Sequence, residues 1–320
     1  MTPPTTKALA RAKHLSPAGA MFFMALGVLL FGVADASTKW LTDGYGTWQI
    51  LAVGRVPALV VALYLTHRAM GSPFRVRTSF FRFHAMRSVL IMMTGYTFFE
   101  GLRYLPLVDC IAIAFAAPLF VTALSGPLIG ESVGLRRWMA VLVGFVGVVI
   151  ALVAAPRGDG SFISHLNIGA VLVLGSAFFY ALTLISLRRI SGKDSAHNIL
   201  FHTSTATLII VCPLAAMNWH WPSGPDWAIM LLQGMSSALA QLCMIKAFRS
   251  GEASMLAPIE YTALIWAAFL GWSIWQEIPT VETLVGAAII IAANLYIAQR
   301  EVHHARRKKD IVPENPVLPE

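Results

Sequence analysis

Charge is scarce in this chain: Asp, Glu, Lys and Arg make up 12% of its 320 residues, about half the share of a soluble domain. With 57% hydrophobic residues and a mean hydropathy of +0.68, the chain carries more apolar surface than a water-soluble globule of this size hides. A polytopic membrane protein is therefore the leading class. Cysteine is also rare. Cys110, Cys212 and Cys243 stand alone in apolar runs with no CxxC or Cys/His spacing, which excludes a disulfide framework and a zinc motif. No GxxxxGKS/T, GxSxG or HExxH pattern occurs, so ATP hydrolysis, serine hydrolysis and zinc proteolysis lack their usual signatures, and no cofactor or metal is expected. Gly126–Gly130 has the look of a phosphate loop but has no lysine and runs into Glu131, so it reads as a helix end. The nine histidines are scattered, whereas a lipid-processing membrane enzyme, one alternative, needs a polar cluster at one membrane surface. A channel or a non-transporting interaction subunit is the other alternative.

What the chain has in quantity is long apolar runs. A helix needs roughly 17–25 apolar residues to cross a bilayer, and ten such segments are legible, at about 20–41, 47–66, 84–104, 106–129, 138–155, 167–187, 198–217, 227–248, 253–274 and 282–299. The expected fold is all-α and integral to the membrane, with short connections that leave no room for a soluble catalytic domain. The formal charge of +8 encodes orientation rather than nucleic-acid binding. If the N-terminus is cytoplasmic, 20 of the 24 Lys and Arg residues fall on the cytoplasmic side, Arg157 falls in an external loop, and Lys39, Arg55 and Arg103 stay in or beside helices. Both termini are then cytoplasmic in an inner, plasma-type membrane. The segment 1–19 is short and basic without a cleavable hydrophobic core, so the first apolar segment is expected to be retained. The tail of 300–320 is charged and then Pro-rich, and is expected to lack order from His303 onward.

Two stretches, Leu102–Glu131 and Phe248–Glu277, repeat one pattern 146 residues apart. Arg103 matches Arg249, Ile113 matches Ile259, Ala117 matches Ala263, Leu124 matches Leu270 and Glu131 matches Glu277. Five segments precede the linker 156–166 and five follow it, giving halves of 20–155 and 167–299. An odd number of crossings inverts the second half relative to the first, an architecture recurrent in transporters. Inverted five-helix repeats are therefore expected. The run Gly101-Leu-Arg-Tyr-Leu-Pro106, then Asp109 through Pro118-Leu-Phe120, then Pro127-Leu-Ile-Gly-Glu131, closely resembles the EamA domain of the drug/metabolite transporter superfamily. Lys246 through Ser254 and on to Gln276-Glu277 is similar to its second copy. The resemblance covers roughly 18–300. It implies a ten-helix carrier of small metabolites, such as amino acids, riboflavin or S-adenosylmethionine, that works without ATP, and it leaves the cargo open.

Ionisable groups inside hydrocarbon cost about 2.5–3.5 kcal/mol on insertion scales and mark functional sites. Asp35 and Lys39 stand one turn apart and can pair, as a structural ion pair or as a gate or substrate contact. Arg55 lies two turns into its segment, where it either neutralises Asp35 or Glu100 or holds a substrate carboxylate or phosphate. Glu100 and Arg103 share a face and are expected to pair. Asp109 opens the fourth segment after Pro106, where a carboxylate favours the exposed N–H groups of a helix start. Glu131 and Glu277 read as scaffold at helix ends, bonded to neighbouring backbone, and Arg249 as the scaffold counterpart of Arg103. Glu260, after Pro258, has the apolar Ala114 as its repeat partner. It either pairs with Lys246 or serves this protein specifically, with H+ as a coupling ion. Tyr96, Tyr180, Tyr261 and Trp266 are candidates to line a central cavity, and Trp219, Trp221 and Trp227 to form an interfacial belt. Pro57, Pro106, Pro118 and Pro258 weaken helix hydrogen bonding and can supply bends, a use the resemblance favours for Pro118 and Pro258. The expected partners are a small-molecule substrate and the lipid bilayer.

Overall fold

The computed structural model describes residues 16–70, 80–130, 133–154, 168–190, 196–251 and 253–311. Glu131, the linker 156–166 and the segments 1–15 and 312–320 lie outside the described residues. Among the described residues all regular structure is helical, in twelve helices: α1 (Pro17–Thr42), α2 (Thr47–Met70), α3 (Phe81–Tyr104), α4 (Leu107–Ala114), α5 (Ala117–Ile129), α6 (Leu135–Ala154), α7 (Ile168–Ile190), α8 (Ala196–Met217), α9 (Gly224–Ser250), α10 (Ala253–Glu260), α11 (Ala263–Trp275) and α12 (Val281–Ile311). Helices α4 and α5 share one pass and α10 and α11 another, so twelve helices make ten passes. The fourth and ninth segments, expected as single helices, are each broken in the middle. Eight passes are long and apolar enough to cross a membrane. The other two are α3, which carries Arg82, Arg87, Glu100 and Arg103, and α8, whose apolar stretch is Phe201–Met217. Outward faces are greasy, as lipid contact requires: α6 exposes Leu142, Val146, Val149 and Val153. Helix α12 continues to Ile311, so the start of the tail is helical rather than irregular.

The two halves pack through pairs that the repeat relation maps onto one another. Helix α1 lies along α9 as α3 lies along α7, and α1 meets α10 and α11 as α7 meets α4 and α5. Helix α2 packs on α8 and α6 on α12, each pair joining equivalent passes, and both pairs run antiparallel. Gln49 at the start of α2 exchanges hydrogen bonds with the backbone of His220 beyond the end of α8. Antiparallel contact between equivalents is what an in-plane twofold produces, so the repeats are inverted. With no hydrophobic drive between helices in lipid, close approach comes from small residues. A Cβ on Gly147 would lie 2.8 Å from the Gly286 carbonyl oxygen, and one on Gly286 would lie 2.8 Å from that of Gly147.

Local signals set the helix ends. Ser16 accepts from Gly19 N–H to start α1, and Ser223 accepts from Asp226 N–H to start α9. Helices α5 and α11 stop at residues in the left-handed region, Gly130 at φ 78° and Gln276 at φ 59°. These two positions are 146 apart, so the stop belongs to the repeat even though only one copy has the glycine that suits it.

Candidate functional site

The two helix breaks meet at the centre of the bundle. Phe115 and Tyr261, equivalent residues at the breaks, face each other edge to face at 5.2 Å. Each break is a tightened turn: Ala116 N–H donates to Ile113 and Thr262 N–H to Ile259, both three residues back. Pro118 sits at the start of α5 and Pro258 within α10, so neither supplies the N–H that would continue the ladder smoothly. Asn294 of α12, only 3% exposed, donates its side-chain N–H to the Phe115 carbonyl at 2.9 Å. Sequence reasoning passed over this residue, although a lone amide in the apolar run of α12 was a signal for it. Pro57 lies inside α2 without ending it, and Pro106 precedes the first residue of α4.

Ionisable side chains border the interior on both sides of these breaks. On α2 the outward stripe holds Val56 and Val60, while Leu51 and Ala62, on the other face with Arg55, are buried. The Arg55 guanidinium lies beside the backbone of Gly95 on α3, and the residue after Gly95, Tyr96, stacks on Trp48 at 4.2 Å. Tyr180 shares the α7 stripe that meets α3, between Ser176, which donates to the Thr94 carbonyl, and Thr183, whose carbonyl faces Arg87. Its ring is 47% exposed and stands within electrostatic reach of both Arg87 and Glu260. Glu260, at the end of α10, also reaches Tyr261. Helix α10 packs on α1, α12 and α9, and α7 on α3, α5 and α4. Trp266 packs less centrally, its Cβ against Gly32 of α1 and its ring near Phe269.

Several pairings differ from the sequence expectation. Lys39 does not pair with Asp35 on its own helix; it binds Glu277 of the other half at 2.6 Å and donates to the Leu105 carbonyl at 2.6 Å. Glu277 in turn accepts from Leu107 N–H at 3.0 Å. The carboxylate capping α4 is therefore Glu277, and Asp109 is buried with one oxygen lacking a hydrogen-bond partner. Lys246 lies over the Phe23 ring at 4.9 Å, not against Glu260. Glu100 and Arg103 do pair, at 3.3 Å, and Arg103 also donates to the carbonyls of Thr42 and Tyr45. Arg249 is exposed in the last turn of α9. Together these contacts tie the end of the bundle that carries Glu277, where Tyr45 also donates to Asp226 and Trp219 gathers Trp221 and Trp227. At the opposite end Arg189 of α7 donates to the Leu128 carbonyl of α5, and His84 stacks on His202. No group of three His, Cys, Asp or Glu suited to a metal occurs among the described residues.

An all-helical bundle of inverted five-pass repeats, with broken passes meeting at its centre, defines a class of membrane carriers. The chain belongs to the EamA-like transporter family, whose model matches residues 18–153 and 167–299, within the drug/metabolite transporter superfamily. It is 29% identical over 308 residues to a riboflavin transporter of Vibrio cholerae serotype O1, covering 93% of this chain and 99% of that one. It is 30% identical over 229 residues to an S-adenosylmethionine uptake transporter of Rickettsia felis, covering 71% of this chain and 75% of the relative. A solved crystal structure of a protein matches over 91% of this chain and 99% of its own with a TM-score of 0.59; at 17% identity the likeness is of fold alone. The protein is a small-metabolite secondary transporter of this superfamily.

Proposed function

We propose that the protein moves a small polar or amphipathic metabolite, amino-acid-like, vitamin or nucleoside-like, by alternating access around the interior between α1/α10 and α3/α7. One observation carries this reading: the broken passes of the two halves meet at Phe115 and Tyr261, with ionisable side chains unmatched by the repeat beside them. Broken passes at the midplane are where carriers of this architecture bind cargo. The names of the relatives make riboflavin and S-adenosylmethionine the first compounds to try. Asp35, Arg55, Tyr96, Tyr180, Glu260 and Tyr261 are the proposed cavity residues, and Lys39, Glu100, Arg103, Asp109 and Glu277 the proposed scaffold of one end. The halves 20–155 and 167–299 are the proposed moving units, and Pro118 and Pro258 the points at which they flex. Glu260 is the proposed carrier of a coupling proton.

The test is purified protein in liposomes, assayed for uptake and counterflow of both compounds without ATP, with and without a proton gradient. Saturable movement with cargo recovered chemically unchanged is the expected result; a strict ATP requirement or chemical conversion of the cargo would overturn it. We place both termini in the cytoplasm of an inner membrane, because the basic residues collect at one end of the bundle. Cysteines at Leu135 and Ile278, each 78% exposed, should react from inside and outside respectively once Cys110, Cys212 and Cys243 are replaced. Labelling of both from one side would contradict the topology.

A further inference from the structure

Arg55 is an interior cation with neither an ion pair nor a hydrogen bond among the described residues. It lies eight residues into α2, about 12 Å from that helix end at 1.5 Å per residue, too deep to snorkel easily to the nearer surface. Its face is turned from the lipid: at about 100° per residue it stands 100–140° around α2 from Val56 and Val60, which are 51% and 58% exposed. The carboxylates that could have balanced it are engaged or elsewhere. Glu100, on α3, pairs with Arg103 and accepts from Thr47. Asp35 lies on α1 and Glu260 on α10, neither within ion-pair distance of it.

The chemistry of Arg55 then differs in kind from that of the interior acids Asp35 and Glu260. Asp35 and Glu260 can become neutral by taking up a proton. A guanidinium stays charged at any physiological pH and presents five donors in a planar fork that matches carboxylate and phosphate geometry. At Gly95 the fork faces a residue without a side chain: a Cβ built there would lie 3.7 Å from an Arg55 terminal nitrogen. Arg87, the other interior cation, also lacks an ion pair among the described residues and has an unpartnered Nε, but its Nη1 donates to the Thr183 carbonyl at 3.4 Å. Trp48, two turns nearer the start of α2, and Tyr96, which follows Gly95, stack on each other.

We propose that Arg55 is the residue that selects the cargo, by holding an anionic group of it, a carboxylate or a phosphate. This rests on the transport reading above and narrows it: the carried molecule bears at least one negative charge, and its arrival neutralises the interior charge that the empty carrier must hold in a low-dielectric setting. Loaded and empty carriers therefore differ in the cost of turning over, and exchange of one cargo for another is faster than net flux.

The test compares matched pairs that differ only in the anion: S-adenosylmethionine and its decarboxylated analogue, riboflavin 5′-phosphate and riboflavin, methionine and methioninamide. Binding is measured on wild-type protein in nanodiscs, on Arg55→Gln and on Arg55→Lys, each verified as monodisperse and helical. In at least one pair the wild type should favour the anionic member tenfold or more. Arg55→Gln should bind that member no better than the partner that lacks the anion, and Arg55→Lys, which keeps the charge and loses the fork, should fall between. The wild-type comparison stands even if a variant fails to fold. Failure of every anionic member to bind, equal binding within every pair, or a preference that survives in Arg55→Gln overturns the inference. Counterflow of riboflavin that is indifferent to Arg55 would sink it while leaving the transport reading intact; binding preference without movement of any compound would do the reverse.

Discussion

Lys39 and Glu277 offer a direct measure of how firmly one end of the bundle is shut. The pair is 2.6 Å apart with side chains 11% and 19% exposed, so it is neither a surface bridge, worth about 0.2–1 kcal/mol, nor a fully buried one, whose rupture costs about 3–5 kcal/mol. Glu277→Gln keeps an acceptor for Leu107 N–H and loses the charge, so the expected loss is that of one charge-assisted hydrogen bond, about 1.5–3 kcal/mol. Lys39→Ile also removes the donor to Leu105 and the contact with the Trp275 ring, and leaves a carboxylate without its cation; about 2–4 kcal/mol is expected. The double variant should recover part of this, with a coupling energy of about 1.5–3 kcal/mol in the cycle. The assay is reversible unfolding of the micelle-held protein, run on all four forms at one pH and salt. A second readout is reactivity at Leu41→Cys, a position 1% exposed, which should rise in Lys39→Ile as that end opens. Coupling below about 1 kcal/mol, the range of an exposed pair, would refute the claim that the contact seals this end.

Asn294→Leu leaves the Phe115 carbonyl without its side-chain donor and should cost about 1–3 kcal/mol of stability, read by the same unfolding assay. Gly147→Ala puts a Cβ 2.8 Å from the Gly286 backbone oxygen, which no rotamer change relieves; a loss of about 1–3 kcal/mol is expected, and an unchanged midpoint would mean that α6 and α12 separate easily. Glu260→Gln should abolish pH-driven accumulation while sparing exchange in liposomes, and retention of wild-type pH dependence would remove the proton role. The hydrogen bond to Asp226 pushes the Tyr45 phenol up from its usual value of 10.0. Its folded-state pKa being the higher, the contact is intact below pH 10 and is lost as pH rises through the folded value. The difference between wild-type and Tyr45→Phe ultraviolet titrations should therefore appear above pH 10, and ionisation below it would contradict the contact.

Ten passes and their inversion were legible because a crossing helix needs a long apolar run and the repeat recurs at a constant spacing. The breaks at Phe115–Ala116 and Tyr261–Thr262 were not, since the apolar run continues through them and only Pro118 and Pro258 hint at a bend. Composition also gave no sign that α12 continues past Arg300, because charged residues are compatible with helix as well as with coil. Partner choice was the least legible feature. Asp35 lies one turn from Lys39, and a sequence reading favours the neighbour at helical spacing. Glu277 wins because the left-handed turn at Gln276 folds its carboxylate back against Gly271, where an added Cβ would lie 3.2 Å from the carboxylate oxygen. That placement aims it at the start of α4, where the helix dipole and a free N–H favour it. The same contact explains why Asp109 is not the cap: the position is already taken.

A division runs through the polar residues once the repeat is applied to them. Three features at pass ends recur in the sequence: Arg103 has Arg249, Glu131 has Glu277, and the left-handed stop of Gly130 has Gln276. Those that border the interior or seal one end have apolar counterparts 146 residues away: Asp35 has Ala181, Lys39 has Ile185, Asn294 has Val148 and Glu260 has Ala114. A fold needs its scaffold twice, once per half, and duplicated residues meet that need. A carrier with the same charges in both halves would present equivalent surroundings to cargo and coupling ion from either side. Placing the costly charges in one copy only gives the two directions different energies.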